Sequence, residues 1–123
     1  MICRGIRGAI CVSANEADAI LEGTRELLQR IVSANGVSVE DVASVIFTVT
    51  PDLDAAFPAQ AAREMGWLNT PLLCMQEIPV ARSLPRCIRV LLHWNTDLPP
   101  NQIQHIYVDR ASALRPDLVE VLS

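Results

Sequence analysis

The stretch RCIRVLLHWNT, residues 86–96, has the apolar composition and the period of two that are typical of a β-strand. Alternate side chains of a strand point to opposite faces of the sheet. One face of this segment carries Ile88, Val90, Leu92 and Trp94. The other face carries Cys87, Arg89, Leu91 and His93. Because both faces are partly apolar, we expect one of them to pack against further copies of the chain.

Two segments on the N-terminal side of this strand predict helices. Apolar residues recur at helical spacing between residues 17 and 32, with Ser13 or Asn15 as the N-cap and Gly36 just beyond the end. A second helix is predicted over AQAAREMG, residues 59–66, and Gly66 closes it.

Further strands are predicted on both sides of the two helices. Ser38, followed by Asp41 three residues later, predicts a capping box for a short helical turn before the strand at residues 44–50. The strands themselves are predicted at residues 2–12, 44–50, 72–75 and 105–109. The resulting element order is β-α-β-α-β-β-β.

Composition limits the class of protein. The chain has 123 residues and a formal net charge of -4, and 50% of its residues are hydrophobic, which fits one folded domain over 1–123. No apolar run approaches the roughly 18 residues of a membrane helix. Arg4 and Arg7 interrupt the apolar N-terminal stretch, which therefore lacks the centre of a signal peptide. We expect a cytoplasmic protein with neither membrane nor nucleic acid as a partner.

Motifs for hydrolytic, metal or phosphate chemistry are missing from the sequence. The four cysteines show no CxxC spacing, and no GxSxG, HExxH or glycine-rich phosphate loop occurs. His93 and His105 lie in or beside apolar strands, where structural roles are expected. Cys74 could pair with a distant histidine as a nucleophile, but its spacing does not indicate contact. No metal or cofactor is expected.

Charged residues inside apolar sequence are the more informative feature. All ten basic residues are arginine, a bias that genome base composition alone can produce. Arg7, Glu77 and Arg89 fall on strands or strand edges, where an unpaired buried charge would cost several kcal/mol. They therefore either pair with one another, within the chain or across a subunit interface, or bind a ligand. Guanidinium groups suit a small carboxylate ligand, because they donate two parallel hydrogen bonds.

A series of motifs in order makes the chain recognisable. The motifs are RGIRGA at 4–9, TPDLDAAFPAQAARE at 50–64, PLLCMQEI at 71–78, CIRV at 87–90, NTDLPPNQIQHIYV at 95–108 and LRPDL at 114–118. With them the sequence resembles the small trimeric class of chorismate mutases, which is distinct from the all-helical class. The resemblance implies an α+β domain with a mixed β-sheet. It also implies a homotrimeric pseudo-α/β-barrel with active sites in the clefts between subunits.

The reaction implied by the resemblance is an isomerisation. Chorismate is converted to prephenate by a pericyclic rearrangement, at the branch of the shikimate pathway that leads to phenylalanine and tyrosine. The rearrangement needs no cofactor, no proton transfer and no covalent intermediate, in agreement with the missing motifs. An enzyme for it selects the compact conformer of a flexible dianion and stabilises charge on the breaking ether oxygen.

The resemblance also assigns roles by position. Arg89 is expected to donate to the ether oxygen, Arg7 and Tyr107 to bind a substrate carboxylate, and Glu77 to accept from the ring hydroxyl. The surrounding wall is expected to consist of Leu73, Cys74, Met75 and Gln76. A neighbouring subunit is expected to contribute Phe57, Ala59 and Arg63. The C-terminal segment, which covers the site, is expected to contribute Leu114 and Arg115. Gln60 departs from the family pattern, in which lysine is frequent.

Ordinary structural roles and two other functions remain as alternatives. Without the resemblance, Tyr107 would be a core or interface tyrosine, and Phe57 a hydrophobic staple for the helix that follows. One rival function is a trimeric enamine or imine deaminase, which would release ammonia. The other is a non-catalytic trimer that binds a metabolite of the aromatic pathway and yields no product.

Overall fold

The computed structural model describes residues 1–114 as a sheet of five strands with helices on one face. The strands are β1 (Ile2–Cys11), β2 (Val42–Val49), β3 (Leu72–Gln76), β4 (Cys87–Thr96) and β5 (Ile106–Val108). The helices are α1 (Ala17–Asn35) and α2 (Ala59–Glu64), and 3-10 turns cover Val39–Asp41, Pro100–Gln102 and Asp109–Leu114. The predicted α+β class and the element order are confirmed.

Strand β4 occupies the centre of the sheet, whose order is β3-β2-β4-β1-β5. It runs antiparallel to β1 and β2, whereas the outer pairs β2–β3 and β1–β5 are parallel. The sheet is therefore mixed, as predicted. The two predicted faces of β4 are confirmed as well: Ile88, Val90, Leu92 and Trp94 lie in the core, whereas Arg89 is half-buried and Leu91 exposed on the opposite face.

Helix α1 covers the core face of the sheet with one apolar side. Ile20, Leu27, Leu28 and Ile31 are fully buried, and the hydroxyl of Thr24 donates to the carbonyl of Ile20 at 2.8 Å. The buried hydroxyl is thereby satisfied within its own helix, and the apolar side packs without a polar defect.

The ends of α1 differ in how well they were predicted. At the C-terminus Gly36 adopts φ 70°, a left-handed conformation that suits glycine, and its N–H donates to Val32, as expected. At the N-terminus the prediction was wrong: Glu16 occupies the cap without a side-chain hydrogen bond. The Asn15 side chain instead accepts from the backbone N–H groups of Asp54 and Ala55. Two loop donors thus take the oxygen that the helix would have used.

The predicted capping box at Ser38 is also wrong. Ser38 precedes the turn Val39–Asp41 but makes no side-chain cap, and its hydroxyl donates to the carboxylate of Glu40 at 3.0 Å. The backbone N–H of Asp41 donates to the Ser38 carbonyl. The backbone N–H of Val42 likewise donates to the Val39 carbonyl, so backbone bonds close the turn and the Ser38 side chain bonds its neighbour instead.

The face of the sheet opposite the helices remains open in the single chain. Leu73 on β3 is 55% exposed, Met75 on the same strand 45% and Leu91 on β4 37%. Met75 and Leu91 share a cavity on this face with charged residues, so the open face is where a site is expected. In the described part of the chain, no helix combines the length and the apolar character needed to cross a bilayer.

Helix α1 packs closely against the end of β1 at Gly23, and a substitution there tests this packing. A Cβ atom on Gly23 would lie 2.5 Å from Cγ1 of Val12, closer than non-bonded carbons approach. We expect Gly23→Ala to lower the free energy of unfolding by about 1–2 kcal/mol, because overpacking outweighs the gain in helix propensity. Urea denaturation measures this change.

The control is the same substitution in a Val12→Ala background, which removes the opposing methyl groups. There Gly23→Ala is expected to be neutral or stabilising. Stabilisation by Gly23→Ala in the unaltered chain would contradict the packing argument.

Candidate active site

Three charged side chains predicted from the sequence meet on the open face of the sheet. Arg7 lies in the middle of β1 opposite Leu91 of β4, and Arg89 lies two residues before Leu91 on the same face. Glu77 follows directly after β3, and its backbone N–H donates to Val49 of β2 at 2.8 Å. They share a cavity of about 340 Å³ lined by Arg7, Ile46, Thr48, Met75, Glu77, Arg89, Val90 and Leu91.

The sequence left open whether the three charged residues pair with one another or bind a ligand. An ion pair in this cavity answers the question for two of them. Nη1 of Arg89 lies 3.4 Å from Oε1 of Glu77, with the two side chains 41% and 20% exposed. The hydroxyl of Thr48 donates to the same carboxylate oxygen at 2.6 Å. Within residues 1–114, Arg7 has no carboxylate at ion-pairing distance. The cavity therefore combines one paired and one unpaired guanidinium group.

The backbone of Arg7 is held by one of the two histidines. Its N–H donates to Nδ1 of His105 at 2.9 Å, which ties β1 to the segment before β5. His93, on the open face of β4, shares a hydrogen bond of 2.9 Å with the hydroxyl of Ser44. Both contacts agree with the structural roles expected for the histidines.

The family of this chain follows from comparison with known proteins. The family model for chorismate mutase type I matches residues 3–118. This chain belongs to the type I chorismate mutase family. It is 55% identical to the chorismate mutase AroH of Thermus thermophilus over 94% of this chain and 95% of that protein. It is 45% identical to the chorismate mutase AroH of Bacillus subtilis over 96% and 94%.

A solved structure of a chorismate mutase from Clostridium thermocellum has the same fold. The TM-score is 0.88 at 52% sequence identity, with 89% of this chain and 98% of that chain covered. The resemblance predicted from the motifs and the predicted fold class are both confirmed. Chorismate mutases are isomerases, so the predicted enzyme class is confirmed with the family.

A second group of predicted residues lies across β3 from the charged cavity. Phe57 is 70% exposed and lines another cavity of about 530 Å³, on the helix side of the sheet edge. Cys74, Met75 and Gln76 line this cavity as well, and Met75 is common to both cavities. Within one chain of this member of the chorismate mutase family, the edge strand β3 therefore lies between Phe57 and Arg89.

The other predicted contributors are distributed around this edge. Leu73 is exposed on the open face of β3, whereas on α2 Ala59 is buried and Arg63 is exposed. The backbone of Leu114 ends the described part of the chain in a 3-10 turn. Arg115 lies outside the described residues. A single chain does not bring the helix α2 residues together with Arg7 and Arg89.

Tyr107 lies close to the charged cavity without lining it. It is paired with Ala9 of β1, on the same side of the sheet as Arg7, and is only 3% exposed. Ala9, Cys87 and Ala111 pack around it. In the single chain Tyr107 therefore has the environment of a core tyrosine, and its contact with substrate stays a prediction.

Burial raises the pKa of two cysteines near the site, Cys74 and Cys87. Cys74 packs on the helix side of β3. Burial, with Cys11 directly opposite on β1, raises the pKa of Cys87 to about 12. A thiol that stays protonated is a poor nucleophile, which disfavours the Cys74 nucleophile considered above. Residues 1–114 also contain no group of three or more His, Cys, Asp or Glu side chains able to hold a metal ion.

Thr48 is a site residue that the sequence analysis did not find. It lies in the apolar strand SVIFTVT and counted there only as a strand former. The alternation of side chains along the strand would have placed Thr48 on the same face as Ile46, but it does not identify the partner of the hydroxyl. Its partner Glu77 is 29 positions away in the chain, and that contact depends on the pairing of β2 with β3.

A hydrogen-bonded network fixes the start of β4 two residues before Arg89. The hydroxyl of Thr50 donates to Asp52 at 2.5 Å and accepts from the N–H of Cys87 at 2.9 Å. The N–H of Arg86 donates to both carboxylate oxygens of Asp52, at 2.9 and 3.1 Å. The Thr50 hydroxyl and then the Arg86 N–H lower the pKa of Asp52. These hydrogen bonds hold the loop against β4 and favour the ionised carboxylate in the folded state.

We expect Asp52→Asn to reduce the free energy of unfolding at pH 7 by about 1 kcal/mol, because one charged acceptor is lost at an exposed position. A depressed pKa stabilises the folded state above the ordinary value of 3.8, and this contribution is lost as the pH falls through the folded pKa. The difference between the two proteins should therefore shrink below about pH 3.8.

Thermal unfolding at pH 7 and at pH 3 measures the effect. Glu22→Gln, at an exposed position of α1, serves as the control that removes one carboxylate elsewhere. An equal destabilisation by both substitutions, or a difference that does not change with pH, would contradict the role of the Asp52 carboxylate.

Proposed function

We propose that this single-domain chain, residues 1–123, converts chorismate to prephenate in the cavity that contains Arg7, Glu77 and Arg89. The observation that carries the proposal is the pair of arginines beside a fixed carboxylate on the apolar, helix-free face of the sheet. Chorismate carries two carboxylates and a ring hydroxyl, so its polar groups are complementary to this set. No group that would transfer a proton or form a covalent bond is required.

Arg89 is the principal electrostatic catalyst in this proposal. As the ether bond of chorismate breaks, negative charge develops on its oxygen, and a fixed guanidinium donor stabilises that charge more than it stabilises the ground state. The Arg89 side chain is half-buried and tethered to Glu77, so it need not reorganise when the charge appears. Its remaining N–H groups can meet a carboxylate of the substrate at the same time.

Arg7 binds a substrate carboxylate, which favours the compact reactive conformer when the other end of the substrate is held by Arg89. Its lack of an ionic partner in residues 1–114 supports this role. Tyr107 adds a hydroxyl donor at the same end. Glu77 accepts a hydrogen bond from the ring hydroxyl and so orients the ring.

Charge balance supports a site shared between subunits. The cavity of one chain has two arginines and one glutamate, hence one net positive charge, against a substrate with two negative charges. Arg63 of a neighbouring subunit and Arg115 of the C-terminal segment supply further positive charge in the proposed site. Phe57 and Ala59 belong to the same contribution from the neighbour, and Leu73, Cys74, Met75, Gln76 and Leu114 complete the wall.

The proposed assembly is a homotrimer of the pseudo-α/β-barrel type. Exposed Leu73, Met75 and Leu91 leave an apolar patch on the sheet that contact between copies would remove from water. We place the enzyme in the cytoplasm and in the shikimate pathway, at the step toward phenylalanine and tyrosine. The free state of all four cysteines supports a reducing compartment.

Substitution of Arg89 tests the proposed mechanism. Arg89→Ala is expected to lose about 2.7–4 kcal/mol of transition-state stabilisation, a 100- to 1000-fold fall seen mostly in kcat. Arg89→Lys is expected to be similarly poor, because a point charge cannot replace the planar fork. The assay follows the loss of chorismate absorbance in the ultraviolet and identifies prephenate by chromatography.

Arg30→Ala, an exposed arginine on α1, is the matched control and should retain full activity. Retention of normal turnover by Arg89→Ala would overturn the assignment. Release of ammonia from an enamine substrate, without chorismate turnover, would favour the deaminase alternative instead. Binding of chorismate that raises the Tm without product would favour the metabolite-binding trimer.

Mixed oligomers test whether the site is shared. We expect inactive Arg89→Ala chains and impaired Arg63→Ala chains to regain activity when they are unfolded and refolded together. Random mixing leaves roughly a quarter of the interfaces with both arginines intact. Mass measurement in solution gives the number of subunits in parallel. A monomer that is fully active at nanomolar concentration would contradict the shared site.

A further inference from the structure

Thr48 occupies the point where three strands meet beneath the charged cavity. It is paired with Arg89 of β4 on one side and with Met75 of β3 on the other. Its hydroxyl donates to Oε1 of Glu77 at 2.6 Å, the shortest contact that this carboxylate makes among the described residues. A polar side chain in an otherwise apolar strand is thereby directed at a single atom of the site.

The two donors on Glu77 converge on one oxygen. Thr48 and Nη1 of Arg89 both contact Oε1, at 2.6 and 3.4 Å. A carboxylate and a guanidinium group left to themselves favour a bidentate pair with two parallel hydrogen bonds of about 2.7–2.9 Å. The observed pair is longer and uses one oxygen, the same Oε1 that accepts from Thr48.

We propose that Thr48 is a positioning residue for the reaction, and this inference rests on the roles given to Glu77 and Arg89 in the proposed function. By occupying Oε1, the Thr48 hydroxyl leaves Oε2 of Glu77 as the acceptor for the ring hydroxyl of the substrate. By preventing a bidentate pair, it keeps guanidinium donors of Arg89 available for the ether oxygen and a carboxylate.

The local backbone makes threonine well suited to this task. Threonine is β-branched and restricted at χ1, so the direction of its hydroxyl is fixed by the strand. The N–H of Glu77 donates to Val49, the residue after Thr48, which fixes the backbone of the acceptor relative to the donor. The pairing of β2 with β3 thus fixes the backbones of donor and acceptor relative to each other.

The inference is tested by replacing the Thr48 hydroxyl with a methyl group, which keeps the shape of the side chain. Thr48→Val is expected to fold normally, because valine favours strands, and to lower kcat about tenfold through misplacement of Glu77 and Arg89. KM is expected to change less than kcat, since Arg7 still binds the substrate. Thr48→Ser retains the donor and is expected to stay within about threefold of the unaltered enzyme.

Thr96→Val is the matched control, because it removes a strand hydroxyl at the opposite end of β4 from Arg89. It is expected to leave kcat unchanged, whatever it does to the Tm. An equal fall in kcat for Thr48→Val and Thr96→Val would mean a general structural effect and would overturn the inference.

A double-mutant cycle with Glu77→Ala separates this inference from the proposed function. If Thr48 acts through Glu77, Thr48→Val causes no further loss of kcat in the Glu77→Ala enzyme. A further tenfold loss there, or full activity of Thr48→Val beside an impaired Glu77→Ala, overturns the positioning role and leaves the role of Glu77 intact. Full activity of Glu77→Ala overturns the role of Glu77 and the inference together.

Discussion

The two-sidedness of strand β4 is the constraint on which the rest of the structure depends. Its even-numbered residues from Ile88 to Trp94 fill the core beneath α1, and the same geometry forces Arg89 onto the opposite face. A guanidinium group in the middle of a five-stranded sheet would be costly if both faces were covered by apolar groups. The open face solves this problem, because it leaves Arg89 half-buried, paired with Glu77 and still accessible to solvent.

The electrostatics of the cavity follow from where strand pairing places each charge. Arg7 and Arg89 come from antiparallel neighbours, whereas Glu77 follows an edge strand that is separated from β4 by β2. Thr48 bridges that gap from β2. Glu77 thus accepts from both Thr48 and Arg89, and its one negative charge stands against the two positive charges of Arg7 and Arg89 in the cavity. In the proposed reaction this balance matters, because the charge to be stabilised appears only in the transition state.

The helix-free face also bears on the proposed sharing of the site between chains. Phe57 and Arg63 are exposed, and neither lines the charged cavity of its own chain. Apolar residues around that cavity remain in contact with water. Association of copies satisfies both conditions at once in the proposed trimer. Assembly and catalysis would then depend on the same surface.

Local sequence patterns determined the elements, the two faces of β4 and the stop of α1 at Gly36, because periodicity and backbone preference act over a few residues. Predicted and observed strand ends differ by at most two residues. The motif series determined the family and the set Arg7, Glu77 and Arg89. All of these features can be obtained without knowledge of which strands become neighbours.

The tertiary structure alone decided which side chains meet. Asn15 lost its capping role because backbone donors of a loop 39 positions away were within its reach. Thr48 became part of the site through a partner 29 positions away, and Tyr107 came to pack with Ala9, Cys87 and Ala111 and does not line the cavity. Hydrogen bonds are short and directional, so they depend on the pairing of distant strands, whereas the hydrophobic periodicity that forms each strand depends only on its own residues.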